Sequence, residues 1–456
     1  MNPQTAVPPL YSLSSDSKYQ SASCPGPRSG RPGRCALVLA ASLFVLHLVA
    51  VKKASAQGVV RDSIGAVSSG RGGTNIAHDD NLSLILDNPA GIVDIAGLER
   101  TDIGLDILAT DLDYRDPHNN ANGDVVPFPL PTFGYVKKSA DGRLAYGFGV
   151  FASAGFGAHY DLYHGLYGKR EYSSLGALVR LLPAVAYRVT DRFRVGATFG
   201  LGISHAQLEM PFNFQTGLFK GFPAMLDLKA TGLAPIWSAG MQYDVTDQTT
   251  VGLTFTAESR FRMKGDADAD VSGFGLPVLG AKYDTEVDLV WPRSVGFGVS
   301  HRINRRHRVS GEVVWTDWSH AFDKVDLKLT NGTNPLFNTI LGKKVRDTLP
   351  VDWNDALAFR FGYEYLLTDR DILRAGYIYH NSPIPNETAI PLLSGTLEHA
   401  VSIGYGHQWE TWRMDVGYQY SWGPTYRVGR SRIVGGDFDN SSIDAQAHWL
   451  FLSVSF

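Results

Sequence analysis

The sequence predicts an all-β fold: a fourteen-stranded antiparallel transmembrane β-barrel plugged by an N-terminal hatch. Three observations predict it. Apolar residues recur with a period of two over many short segments, while the other face of each segment is polar or glycine. The connections between segments alternate short and long, as periplasmic turns and extracellular loops do. Beyond the N-terminal leader, no run approaches the roughly 18 uninterrupted apolar residues of a membrane helix. The composition agrees. The 456 residues include 48 glycines, aromatics are 11% and charged residues 19%, which suits many turns and excludes disorder. A mean hydropathy of −0.10 is too polar for a helical membrane bundle. A net charge of −3 gives no basic surplus for nucleic acid.

The chain opens with a leader. An apolar run over Cys35–Val51 follows Arg28, Arg31 and Arg34, and Ala54-Ser55-Ala56 is an A-x-A cleavage signature. Residues 1–56 are therefore expected to be a leader and signal peptide that is removed, with the mature start at Gln57. The long polar stretch before Arg28 is either an upstream start or an extended signal region. An uncleaved anchor helix is the alternative for the whole segment. Both cysteines, Cys24 and Cys35, lie in it, so the exported chain folds without disulfides.

Residues 57–99 precede the first strand. They are glycine-rich (Gly65, Gly70, Gly72, Gly73), then read Asp79-Asp80 and Asn88-Pro89-Ala90-Gly91. A compact piece of this length can plug a wide barrel, which otherwise conducts water. Residues 100–456 form the barrel. Its segments are 100–115, 131–138, 144–154, 174–189, 193–209, 227–244, 249–263, 285–301, 307–318, 353–366, 372–381, 397–409, 411–422 and 444–456. In 193–204, Phe193, Val195, Ala197, Phe199, Leu201 and Ile203 share one face; in 412–422, Trp412, Met414, Val416, Tyr418, Tyr420 and Trp422 do. A soluble sandwich also alternates. It has no reason to alternate loop lengths, nor to place aromatics at strand ends as an interfacial girdle. Connections after even-numbered segments are short; those after odd-numbered segments are expected to be long. The chain ends Leu450, Leu452, Val454, Phe456 on one face, which resembles the sorting signal read by the barrel-assembly machinery.

The hatch residues Asn88-Pro89-Ala90-Gly91, after Asp79-Asp80 and the glycine-rich start, resemble the hatch of the FadL/TodX (OMPP1) family of outer-membrane long-chain fatty acid and hydrophobic-compound transporters. Leu182–Asp191, Trp315–Ser319, Arg374–Tyr379 and Ser382–Pro385 resemble its later segments, so the resemblance spans essentially the whole mature chain. It implies passive uptake of an apolar cargo, capture in outer hydrophobic loops, and lateral exit into the membrane at a kink in the third strand. The residues matching that kink are Ser153, Ala154, Gly155, Phe156 and Gly157. The family often has proline before the Phe-Gly; here Ala154 and Gly155 stand there.

The residues support an apolar cargo independently. The stretch from Met210 to Met225, with Phe212, Phe214, Leu218, Phe219 and Phe222, is greasy for a loop, as is Phe274 with Leu276. Exposed apolar surface marks binding sites; the alternative is that these loops cap one another.

Other constellations carry less. Gly70-Arg71-Gly72-Gly73 lacks the strand and the Lys-Ser/Thr of a phosphate loop. Asp266, Asp268 and Asp270 start like a calcium loop but lack its glycine and terminal glutamate. They are read as a solvated loop or as a divalent bridge to lipopolysaccharide. His159, His164 and His380 are assigned to loop edges. Glu258, Arg260, Arg262, Glu312, Arg360, Glu364 and Arg374 are read as an inward salt-bridge lattice, one of whose arginines could meet a carboxylate headgroup. No nucleophile motif, metal spacing or cofactor motif is present, so neither catalysis nor a cofactor is expected. The expected protein is a monomer in the bacterial outer membrane, in contact with its lipid and lipopolysaccharide, taking up a hydrophobic small molecule. The competing readings are a porin for small polar solutes, an outer-membrane enzyme and an adhesin.

Overall fold

The computed structural model describes residues 59–456, except 218–219, 272, 274–279 and 394. The leader with Ala54-Ser55-Ala56, and the candidate residues Leu218, Phe219, Phe274 and Leu276, lie outside the described residues.

Fourteen antiparallel strands close one barrel. They are β1 (Glu99–Arg115), β2 (Phe128–Lys138), β3 (Leu144–His164), β4 (Gly168–Thr190), β5 (Phe193–Asn213), β6 (Pro223–Thr246), β7 (Thr249–Thr256 and Ser259–Asp270), β8 (Gly280–Trp291 and Ser294–Arg302), β9 (His307–Thr316 and Lys324–Thr330), β10 (Lys344–Pro350 and Ala356–Leu366), β11 (Asp371–His380), β12 (His399–Gln408), β13 (Arg413–Trp422) and β14 (Ser442–Ser455). Short pieces at Asn120–Asn122 and Tyr426–Arg427 pair onto β1 and β14. The barrel closes where β14 pairs with β1, from Asp102↔Ser455 to Arg115↔Ser442. Phe456 extends that ladder: its N–H donates to the Thr101 carbonyl at 2.9 Å and its carbonyl accepts from the Thr101 N–H at 3.1 Å.

Alternation along each strand sorts the side chains. Outward residues such as Phe199, Leu201, Leu233, Leu253, Phe297, Phe361 and Ile403 are exposed and apolar, as a lipid-facing band requires. Rings cluster on the outer face of β11–β14: His399 stacks on Trp422 with centroids 5.4 Å apart, and the Tyr418 hydroxyl meets His448 at 2.8 Å. Inward, the half of the lumen beside the short turns is charged, and the other half is packed with apolar side chains such as Phe261, Trp318, Phe322 and Trp353.

Three expectations are corrected. The connection after the third strand is short, Gly165–Tyr167, because β3 and β4 stay paired out to His164↔Gly168. Asp266, Asp268 and Asp270 lie on a strand, paired to Asp284, Lys282 and Gly280, and are not a loop. Arg260 and Arg262 face outward, their side chains 68% exposed. The break at Ala257–Glu258 between the two pieces of β7 shifts the alternation by one residue, which moves every later side chain to the other face.

The N-terminal segment lies inside the barrel. It carries two short helices, α1 (Ala66–Gly70) and α2 (Leu84–Asp87), and a 3-10 turn, Pro89–Val93. Backbones touch there: a Cβ on Gly376 would stand 2.0 Å from the Gly72 nitrogen, and one on Gly196 would stand 2.5 Å from the Ala90 nitrogen. Only glycine lets wall and plug approach this closely.

Candidate functional site

The floor of the lumen is an ionic lattice between hatch and wall. Arg71 bonds Asp80 at 2.6 Å and Glu364 at 3.1 Å; Arg374 joins Glu364 at 3.1 Å to Asp415 at 2.9 Å; Arg413 completes the chain to Asp415 at 2.7 Å. Glu312 accepts the backbone N–H groups of Asn75 and Ile76, with Arg360 3.8 Å away. Glu312, Arg360, Glu364 and Arg374 thus stand in the lattice expected of them. Burial disfavours the Asp80 carboxylate, but the Arg71 guanidinium outweighs this and holds its pKa well below the usual range. Burial, with Arg308 and Arg71 nearby, keeps His78 neutral well below its ordinary pKa. Burial raises Asp87 despite a hydrogen bond from Asn75. His78, Asp80 and Glu364 bring ligand atoms within 4.8 Å of one another, but the guanidiniums of Arg71 and Arg308 already occupy the place a cation would take.

The hatch motif is structural in its contacts. Asn88 Oδ1 accepts from the Ala90 N–H and its amide donates to the Ile76 and Met241 carbonyls; Pro89 opens the 3-10 turn.

The backbone ladder of the wall is interrupted beside the third strand. The β2–β3 ladder runs only from Thr132↔Phe151 to Lys138↔Ala145, although β2 continues along β1 as far as Phe128. Pro129 and Pro131 explain the stop. The Lys138 N–H points to β1 (Leu98 carbonyl) and the Ser139 N–H to β3 (Leu144 carbonyl), so odd-numbered residues of β2 face β3. Proline at two of them removes the donors the ladder needs. Both prolines are legible in the sequence, but the neighbour they face is not. On β3 itself the register slips between Ala152 and Ala154, leaving Ser153 as the bulged residue.

The hatch patches this interruption from inside. Val60 forms an isolated antiparallel bridge with Ala154. The Arg61 N–H donates to the Ser153 carbonyl at 3.2 Å, and the Gly155 N–H to the Val59 carbonyl at 2.9 Å. Arg61 pairs with Asp106 and lies 4.8 Å over Trp449. Asp62 takes His380 at 3.0 Å, so His380 is buried in the lumen, not at a loop edge. Against this patch lies a cavity of about 110 Å³, walled by Leu108, Leu112, Phe156, Leu397 and Phe451, with Arg61, Asp62, His380 and Gln419 on its polar side. A second cavity of about 220 Å³ is lined by Phe128, Leu175 and His159; both cavities share Thr110 and Gly157. His159 stands at that rim between Asp124 and Glu171, and His164 is buried against Asp437.

The greasy stretch is less exposed than its composition suggested. Met210 and Phe212 belong to β5, Phe214 follows it, and both phenyls are buried, edge to face at 6.1 Å. Phe222 packs on the same core.

A closed barrel of fourteen strands, with a lipid-facing band, an occluded axis and a shortened β2–β3 ladder, defines a plugged outer-membrane channel protein. Comparison with known proteins is consistent with that class. The profile of the outer membrane transport protein family OMPP1/FadL/TodX matches residues 47–456, and the chain belongs to this family. Curated relatives include an outer membrane protein of Neisseria meningitidis, 25% identical over 33% of this chain and 34% of that one. The long-chain fatty acid transport protein of Escherichia coli is 22% identical over 42% of each. The match therefore spans less than half the length of these relatives. Among solved structures, a Pseudomonas aeruginosa FadL homologue superposes with a TM-score of 0.71 at 18% identity, covering 88% of this chain and 99% of that one. The Pseudomonas putida toluene transporter TodX does so at 0.71 and 20%, with the same coverage. These likenesses bear on the fold.

Proposed function

We propose that the protein takes up hydrophobic small molecules across the outer membrane and releases them sideways into the bilayer beside β3. The observation that carries this reading is the pair of cavities sharing Thr110 and Gly157, one lumenal and one lined by Phe128, beside the point where the β2–β3 ladder stops. The axial route is closed by the Arg71–Glu364–Arg374–Asp415 lattice. A solute leaving through the bottom has to break it, whereas an apolar solute leaving sideways does not. The lumenal cavity is of the order that holds a single aromatic ring; an engineered cavity of about 150 Å³ binds benzene. Capture is assigned to the apolar stretch with Phe212, Phe214, Leu218, Phe219, Phe222, Phe274 and Leu276, and exit to Ser153–Gly157. The chain acts as a monomer, without catalysis or cofactor, and Phe456 serves its assembly into the membrane.

The test is uptake of labelled oleate and toluene by cells carrying the protein as their sole such channel. Uptake of either, abolished by Gly157→Trp with outer binding retained, supports the reading. Uptake of small sugars in place of both would establish a porin instead.

A further inference from the structure

The ladder between β8 and β9 is interrupted as well. Pairing runs from Arg302↔Arg308 to Ser294↔Thr316 and resumes only at Asp288↔Asp326. Between these points β9 leaves the sheet, through a short helix, α3 (Trp318–Ala321), and the turn that follows it. Trp318 and Phe322 turn into the core, each 6.4 Å from Trp291 and packed on Trp353 at 4.8 and 4.6 Å. The detour leaves a recess of about 570 Å³, whose apolar lining is Phe261, Leu289, Val290 and Ala321.

The rim of this recess carries cations that face away from the lumen. Arg260, Arg262 and Lys324 are exposed. Arg260 is tied to Glu258 at 2.6 Å. Arg262 lies 3.5 Å from Asp288 and 3.9 Å from Glu286. Those separations exceed the roughly 2.7–2.9 Å of a charge-assisted hydrogen bond, so its donors remain available. Lys324 has no ion pair among the described residues. Of the carboxylates in the lining, Asp288 is engaged by Arg262 and Asp326 accepts the Thr348 hydroxyl at 2.7 Å; Asp323 is the third.

The recess sits where the lipid-facing band ends. Outward residues of β7 change from Leu253 and Phe255 to Arg260, Arg262 and Lys264. On β6 the exposed Leu233 gives way to Thr231, which pairs with Lys264, and then to Lys229. This is the end of the barrel away from the hatch, so the lipid it meets belongs to the outer leaflet.

We infer that this recess docks a phosphorylated glycolipid of the outer leaflet, with its phosphate on Arg260, Arg262 and Lys324 and the first methylenes of an acyl chain on the apolar lining. Guanidinium suits phosphate because its planar fork donates to two oxygens at once. Lipid without phosphate gains only the apolar contact. The inference is independent of the cargo and rests on the outer-membrane placement alone. It is a binding contact with no chemical step.

The experiment uses the full-length protein in zwitterionic nanodiscs, with bisphosphorylated lipid A as probe and its dephosphorylated form as control, retained lipid being read by native mass spectrometry. Wild type is expected to retain the probe over the control, less so as salt is raised. Arg262→Gln with Lys324→Gln is expected to lower affinity for the probe about tenfold or more, the size of two cation–phosphate contacts at a membrane surface, and to leave the control unchanged. Asp323→Asn, which removes a like charge, is expected to tighten binding of the probe. Equal retention of both lipids by wild type overturns the inference, and so does unchanged affinity in a double variant that is still a heat-modifiable barrel. If the double variant forms no such barrel, Asp323→Asn decides, and an unchanged affinity there overturns it. Loss of wild-type binding in EDTA also overturns it, because a divalent cation on the rim carboxylates then makes the contact.

Discussion

The Phe128 ring packs over Gly157: a Cβ placed on Gly157 would come within 3.1 Å of it. One residue begins β2 and the other lies just beyond the bulge of β3, and no ladder joins their strands at this height. Gly157 lines both cavities, and a side chain there would press on the Phe128 ring.

Gly157→Trp is therefore expected to cut whole-cell uptake of a hydrophobic substrate sharply, because the indole would fill the space beside the Phe128 ring, while leaving outer binding intact. Phe128→Ala is expected to raise it. Parallel uptake and binding curves for both variants check this; normal transport in the tryptophan variant removes lateral exit at this strand.

Pro129→Val combined with Pro131→Val restores two N–H donors facing β3. The ladder should then extend past Thr132, raising stability by about 0.5–1.5 kcal/mol for each bond formed and narrowing the gap. The heat-modification midpoint is expected to rise as uptake falls. If the midpoint rises and uptake stays unchanged, the gap is not the route.

Arg71→Met leaves Asp80 and Glu364 short of their buried partner, at a cost of about 3–5 kcal/mol. The hatch should loosen from the wall and single-channel conductance should rise from a very small value. Removing residues 57–98 should raise it further. Large conductance in the intact protein would argue for an open pore.

Acid should loosen the same lattice. Asp80 is held below its unfolded pKa of about 4, so its contribution is present above that value and is lost as pH falls through the lower folded one. His78 is kept neutral below its unfolded value of about 6.5, so the unfolded chain binds more protons there and stability declines as pH drops. Asp87, raised by burial, opposes this weakly. Protease access to residues 59–98 should increase from about pH 6 downward, and a flat profile to pH 3 would contradict the assignment.

Phe214→Ala removes a buried ring at a cost of about 3–5 kcal/mol to its local packing. The barrel should remain heat-modifiable while substrate capture weakens. Normal capture would leave this stretch only a cap.

The strand count, the lipid-facing band and the closing strand to Phe456 were legible in the sequence because they follow from a local rule. Successive side chains in a strand alternate, and here one face meets lipid and the other the lumen. The glycines of the hatch and wall were visible too, though not their mutual contact. What only the tertiary structure decided depends on partners far apart in the chain or on a one-residue shift. Arg71 and Glu364 are separated by 293 residues, so nothing local says which lumenal arginine is matched to which carboxylate. Arg260 and Arg262 read as inward until the break at Ala257–Glu258 reversed the face. Phe212 and Phe214 read as exposed loop residues; they are buried because β5 runs on to Asn213 and carries this stretch onto the core. The gap had its cause in the sequence, at Pro129 and Pro131. That those prolines face β3 and not β1 is fixed by the hydrogen-bond parity of the assembled sheet, since a strand interior has two neighbours and a proline denies a donor to only one.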